Sequence, residues 1–324
     1  MSPRKLLRSA GFTLIEILAA TGIMAVVILV ALSLTTNVLT AWNTGAGKLT
    51  SNYEARIALD LLARDLESLV IRNRQMNWLY VQWDKPEIPG RISQYNDALP
   101  YMPQIYFLAP VADRPRFDSA GNAIPGDVCA VSYQVAYQNP FTGSRADDFP
   151  APMFALYRFV VDAENTFNEV MDPLGFDIGD TSSWLNQRMQ GVPYVDEGGA
   201  NATTAGNIED TVLTAENFLS ANVVDFNMEF YFSDSTDPTA QPQRFPATRP
   251  TNNGTIHIAD TVYIGNTARS ELSLEYIDIT ITVMSDEGLG IIESGSVGTN
   301  QWFDLVAQYG HTYSRRVQVM AKPL

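Results

Sequence analysis

The chain has 324 residues, 46% hydrophobic and 18% charged, which is enough material for a large buried core and too apolar for wholesale disorder. Its 36 acidic residues outnumber 21 basic ones, and the net charge of −15 leaves nothing to offset repulsion from a phosphate backbone, so nucleic acid is excluded as an expected partner. Cys129 is the one cysteine and His257 and His311 the two histidines, so no intrachain disulfide or cysteine-based zinc site can form, and little remains for general-base or metal chemistry.

Residues 1–11 carry Arg4, Lys5 and Arg8 and no acid; without them 18 basic residues face 36 acidic ones, a balance of −18. From Phe12 to Leu32 follows FTLIEILAATGIMAVVILVAL, 21 residues with one charge. At ~1.5 Å per residue this run spans roughly 30 Å of hydrocarbon, enough to cross a bilayer. Basic residues flank only its N-terminal side, which places Met1 in the cytoplasm and the chain after about residue 33 across the membrane. A secretory signal cut near Ala19 and Ala20 is a competing reading, but it strands Ile23 to Leu32 on a soluble protein. An uncleaved single-pass anchor explains the hydrophobicity and leaves Glu16 unexplained.

A carboxylate at the centre of a membrane helix costs ~2.5–3.5 kcal/mol on insertion scales and is normally paired or functional, so Glu16 calls for a cation. Cleavage after Gly11 would supply one: the new α-amine of Phe12 lies about one helical turn away and, with an ordinary pKa of ~7.7–8.0, is mostly charged near neutrality. The run Gly11-Phe12-Thr13-Leu14-Ile15-Glu16, behind a short basic leader and ahead of an apolar helix, resembles the class III signal of type IV prepilins and pseudopilins. That resemblance implies cleavage between Gly11 and Phe12 by prepilin peptidase, N-methylation of Phe12, and docking of Glu16 against the amine of a neighbouring subunit.

Between Leu32 and Leu49 the sequence turns small and polar, and Gly45 and Gly47 each weaken a helix by ~1 kcal/mol, which leaves a bend and a continuous helix both open. From Asn52 to Arg72 Leu59, Leu62, Leu66 and Leu69 form one stripe, with Arg56, Asp60, Arg64 and Glu67 elsewhere. The stripe reads as core against a head, with a subunit interface as the alternative, and Asp60 and Arg64 stand in the helix-favouring order. Trp78, Tyr80 and Trp83 are expected to pack the helix onto a sheet.

Beyond Trp78 the pattern switches to period-two runs. Val224 to Phe230 and Ile277 to Val283 alternate strictly, as half-buried strands do; Gln104 to Leu108, Val128 to Tyr137, Phe154 to Val161 and Ser314 to Met320 are further expected strands. Short helices are expected at Ala215 to Ala221 and Asn300 to Tyr309. Loops are expected at Gln138 to Ala151, Asp172 to Asp210, Ser233 to Thr255 and Ser285 to Gly298, for their Pro, Gly, Asn and Asp content. The acids Asp177, Asp180, Asp196 and Glu197 read as solvated loop residues, because their spacing matches no EF-hand. No phosphate loop, paired-histidine metal motif or nucleophile elbow is present, so catalytic and metal residues and cofactors are expected to be none.

The order of head features resembles the J-type minor pseudopilins of type II secretion and the W-type minor pilins of type IV pili. The elements carrying it are Arg64-Asp65-Leu66, Val131-Ser132-Tyr133, Leu156-Tyr157-Arg158, Phe218 to Phe232, Tyr276 to Val283 and Tyr313-Ser314-Arg315-Arg316-Val317. The long insertions, above all Asp172 to Asp210, depart from a compact J-type head. The expected fold is α+β and pilin-like: a prepilin leader at 1–11, a transmembrane segment at 12–34, an amphipathic continuation of that helix at 35–76, and a mainly antiparallel β head at 77–324. The implied function is a minor subunit of a pilin-like filament, anchored in the inner membrane with its head in the periplasm and placed near the filament tip. Its implied partners are other pilin-like subunits, prepilin peptidase and the inner-membrane assembly platform. A membrane-tethered periplasmic adhesin or binding protein that borrows the prepilin signal for export is the alternative.

Overall fold

The computed structural model describes residues 13–70, 78–86, 95, 97–111, 116–117, 123–124, 128–140, 152–161, 163, 166, 217–237, 239–252, 254–258, 261–294 and 301–319. Two compact units divide the chain, Met1–Gly47 and Lys48–Leu324. Helix α1 covers Leu14–Glu67, and the backbone is helical at Gly45 and Gly47, so the turn is not melted there. The helix ends at Glu67, short of the expected 76. Leu69 bonds back to Leu66 in a tightened last turn, and the Val70 N–H then donates to the Leu108 carbonyl at 2.8 Å, which takes the chain out of the helix and onto a strand.

In the second unit the class is α+β, with every strand pairing among the described residues antiparallel. The strands are β1 (Leu79–Asp84), β2 (Met102–Ala109), β3 (Arg116–Phe117), β4 (Ala123–Ile124), β5 (Cys129–Gln138), β6 (Met153–Val161), β7 (Phe218–Ala221) and β8 (Val223–Asp234). Then come β9 (Gln243–Phe245), β10 (Thr255–Ile258), β11 (Val262–Ile264), β12 (Thr267–Arg269), β13 (Leu272–Met284), helices α2 (Asp286–Glu293) and α3 (Trp302–Tyr309), and β14 (Gly310–Gln318). An 8-stranded sheet runs β12-β11-β10-β1-β2-β5-β6-β7, a 4-stranded sheet runs β14-β13-β8-β9, and β3 pairs with β4.

One hydrophobic core joins both larger sheets to the second half of α1. Leu59, Leu62, Leu66 and Leu69 are all buried in it, with Leu79, Val81 and Trp83 from β1, Phe226, Met228, Phe230 and Phe232 from β8, and Ile277, Ile279 and Ile281 from β13. Each fully buried leucine or phenylalanine stabilises by ~1.5–3 kcal/mol, which makes the leucine stripe the main attachment of helix to sheets. Trp83 meets Phe230 and Phe245 edge-on, while Trp78 and Tyr80 belong to a smaller cluster with Tyr106 and Leu108.

Several local expectations are corrected. Phe218–Ala221 is the strand β7, not a helix, because Ala221, Ser220 and Phe218 pair with Ala155, Leu156 and Tyr157 of β6. The chain then passes to the other sheet at Asn222, whose φ of 61° is a left-handed conformation that asparagine tolerates. The expected loop at Ser285 to Gly298 contains α2, and the one at Ser233 to Thr255 contains β9. The strand at the C-terminal end starts at Gly310, ahead of Ser314. Residues 141–151 and the whole of Asp172 to Asp210 lie outside the described residues.

Gly288 is where α2 meets its neighbours: a Cβ there would stand 2.6 Å from Tyr309 Cβ and 2.8 Å from Met284 Cγ. Gly288→Ala should therefore lower the stability of the head by about 1–3 kcal/mol through overpacking, against the usual gain from removing a helical glycine. Denaturant unfolding of Gly288→Ala beside Gly290→Ala, whose site is open, checks this.

Candidate functional site

Of the N-terminal residues singled out by sequence, Arg4, Lys5, Arg8, Gly11 and Phe12 lie outside the described residues, and Glu16 lies within them. Glu16 sits in the first turn of α1 and closes a capping box with Thr13. Its carboxylate Oε2 accepts from the Thr13 backbone N–H at 2.9 Å and from the Thr13 hydroxyl at 3.0 Å, while the Glu16 N–H approaches Thr13 Oγ1 at 3.3 Å. The sequence signal is the spacing Thr-x-x-Glu at a helix start, which satisfies two N-terminal donors reciprocally. Glu16 thus has a local role that the search for a cation overlooked.

From Leu14 to Leu39 the first unit presents 26 residues long and apolar enough to cross a membrane, with none of the segment buried. Three of its hydroxyls donate to the helix's own carbonyls: Thr21 to Leu18 at 3.0 Å, Thr35 to Ala31 at 2.8 Å and Thr36 to Ser33 at 2.9 Å. Bonds of this kind remove the cost of placing a hydroxyl in hydrocarbon. Glu16 is the only charged residue from Phe12 to Gly47.

In the second unit the structure brings together three of the sequence elements named above. Asp65 of α1 is buried on the core side of the helix, where its Oδ2 accepts from the Tyr133 hydroxyl of β5 at 2.6 Å and from Arg158 Nε of β6 at 2.7 Å. Burial, then the neighbouring Asp65 charge, push the Tyr133 phenol well above its ordinary value, so it stays a donor. Sequence reasoning missed this group. Its signal was an acid three residues after Leu62 and four before Leu69, inside the apolar stripe.

The closing strand is tied to α1 as well. Arg315 pairs with Asp60 and, at 3.5 Å, with Glu67, and Arg56 lies 5.5 Å above the Tyr313 ring. Asp60 thus engages a strand, where helix spacing had offered Arg64. Arg316 binds both oxygens of Asp278 at 2.7 Å and covers Tyr276, which stacks on Tyr231. His257 stacks on Tyr263 within β10 and β11, and His311 is exposed on β14. Among the described residues no three His, Cys, Asp or Glu side chains converge as metal ligands. The acids Asp177, Asp180, Asp196 and Glu197 lie outside those residues. Compared with protein families, with curated proteins and with solved structures, the chain has no match in any of the three.

Proposed function

We propose that this chain is a minor subunit of a type IV pilin-like filament, of the pseudopilin or minor-pilin kind, and that it acts by assembly and not by turnover. The observation that carries the reading is Glu16: one charge in an apolar helix where Thr21, Thr35 and Thr36 bond to the helix's own carbonyls, held on Thr13, two residues past Gly11. Prepilin peptidase cuts between Gly11 and Phe12, and Phe12 is N-methylated. Arg4, Lys5 and Arg8 keep the leader on the cytoplasmic side of the inner membrane, and the acidic head stands in the periplasm.

In the filament the amine of Phe12 on one subunit neutralises Glu16 on the next, which removes the cost of a bare carboxylate in lipid. The exposed apolar surface from Leu14 to Leu39 packs against the equivalent helices of other pilin-like subunits. The broad β head suits a position at or near the tip. Intact-mass measurement of the membrane-extracted protein tests the processing step: the expected species begins at N-methylated Phe12. Material that still carries residues 1–11 while incorporated in filaments would overturn it.

A further inference from the structure

Four strands end the two larger sheets among the described residues, and they are unequal. β12 and β9 have 3 residues each, β7 has 4, and β14 has 9. An open edge is a row of N–H and C=O groups that can receive another strand, and folded proteins usually keep such edges short or block them. β14 is long, pairs only with β13 among the described residues, and exposes His311, Thr312, Ser314, Arg316 and Gln318.

What lies beside that edge gives it a direction. Arg315 and Tyr313 fix β14 along the flank of α1 that carries Arg56, Asp60 and Glu67. At ~100° per residue, Tyr53, Ile57 and Arg64 come next around the helix, on the side away from Leu62 and Leu66. Tyr53 is 68% exposed and Ile57 44% exposed, and Arg64 is exposed and meets no acid among the described residues. A strand added ~4.8 Å beyond β14 would run over this patch.

We propose that the β14 edge is a strand-acceptor site for an extended segment of a partner protein. The face that the incoming segment turns to the helix, made of every second side chain, sets apolar residues onto Tyr53 and Ile57 and a carboxylate opposite Arg64. Backbone pairing supplies the attachment, and the alternation supplies the selectivity. The inference concerns the head alone and does not use the filament reading.

The test uses the full chain in lipid nanodiscs and three synthetic peptides: one with valine, valine and glutamate at successive alternate positions and threonine between them, the same with lysine for glutamate, and the first with proline in place of each threonine. Only the valine–glutamate peptide should bind, and it should slow amide hydrogen exchange within Gly310–Gln318. Ile57→Arg and Arg64→Glu, both at exposed positions, should each weaken binding about tenfold or more with an unchanged unfolding midpoint, and Arg64→Glu should admit the lysine peptide. Equal binding of all three peptides, protection elsewhere than β14, or sedimentation showing that two copies of the chain pair through β14 would overturn the proposal.

Discussion

Asp65→Ala should cost the head about 3–5 kcal/mol of stability, because it removes the carboxylate facing the buried Arg158 guanidinium while the charge stays behind in the core. The Arg158 side chain is 7% exposed and that of Asp65 3%, so water cannot easily take over the lost interaction. Tyr133 would lose its acceptor in the same stroke. Asp65→Asn keeps an acceptor and should fall between wild type and alanine. Arg315→Ala is the control: its pairs with Asp60 and Glu67 are exposed, and pairs of that kind contribute ~0–1 kcal/mol. Urea unfolding of the solubilised full chain, read through the buried Trp83 and Trp302, measures all three variants. An Asp65→Ala loss below about 1 kcal/mol would mean that the cavity floods and hydrates Arg158.

The elements that sequence made legible share one physical property. Val224 to Phe230 and Ile277 to Val283 alternate because each strand has one face on the core and one toward solvent, and they emerge as β8 and β13. The leucine stripe was legible for the same reason at helical period, and all four leucines are buried. Phe218–Ala221 was not, because 4 residues carry too little periodicity to separate strand from helix, and its state is set by pairing with β6. β10, β11 and β12 escaped because they are 3 or 4 residues long between turns. α2 was hidden by Gly288 and Gly290, which read as loop although Gly288 is present for close packing. The buried Asp65 escaped because an acid in an amphipathic helix reads as solvated until β5 and β6 are seen to bring Tyr133 and Arg158 to it. At the N-terminus, Glu16 was legible as a residue needing a partner, while its partner in the described chain is Thr13.

Glu16→Gln should then assemble as poorly as Glu16→Ala, and this pair of variants separates the two things Glu16 can do. Glutamine serves in a capping box, so Glu16→Gln keeps the bonds to Thr13, whereas alanine gives them up at a cost of ~0.5–2 kcal/mol in helix stability. Neither variant offers a charge to an amine. Where one member of a buried, hydrogen-bonded charge pair is truncated, the loss is about 2–5 kcal/mol, which at 1.4 kcal/mol per tenfold is roughly a thirtyfold or larger drop in incorporation. Both variants should still be cut after Gly11 and reach the membrane, because the apolar run Leu14–Leu39 is unaltered beyond that one position. The measurement is the ratio of processed chain in sheared filaments to processed chain left in the membrane. Glu16→Gln at the wild-type ratio would reduce Glu16 to a helix cap, and the neutralising amine would then have no place in assembly.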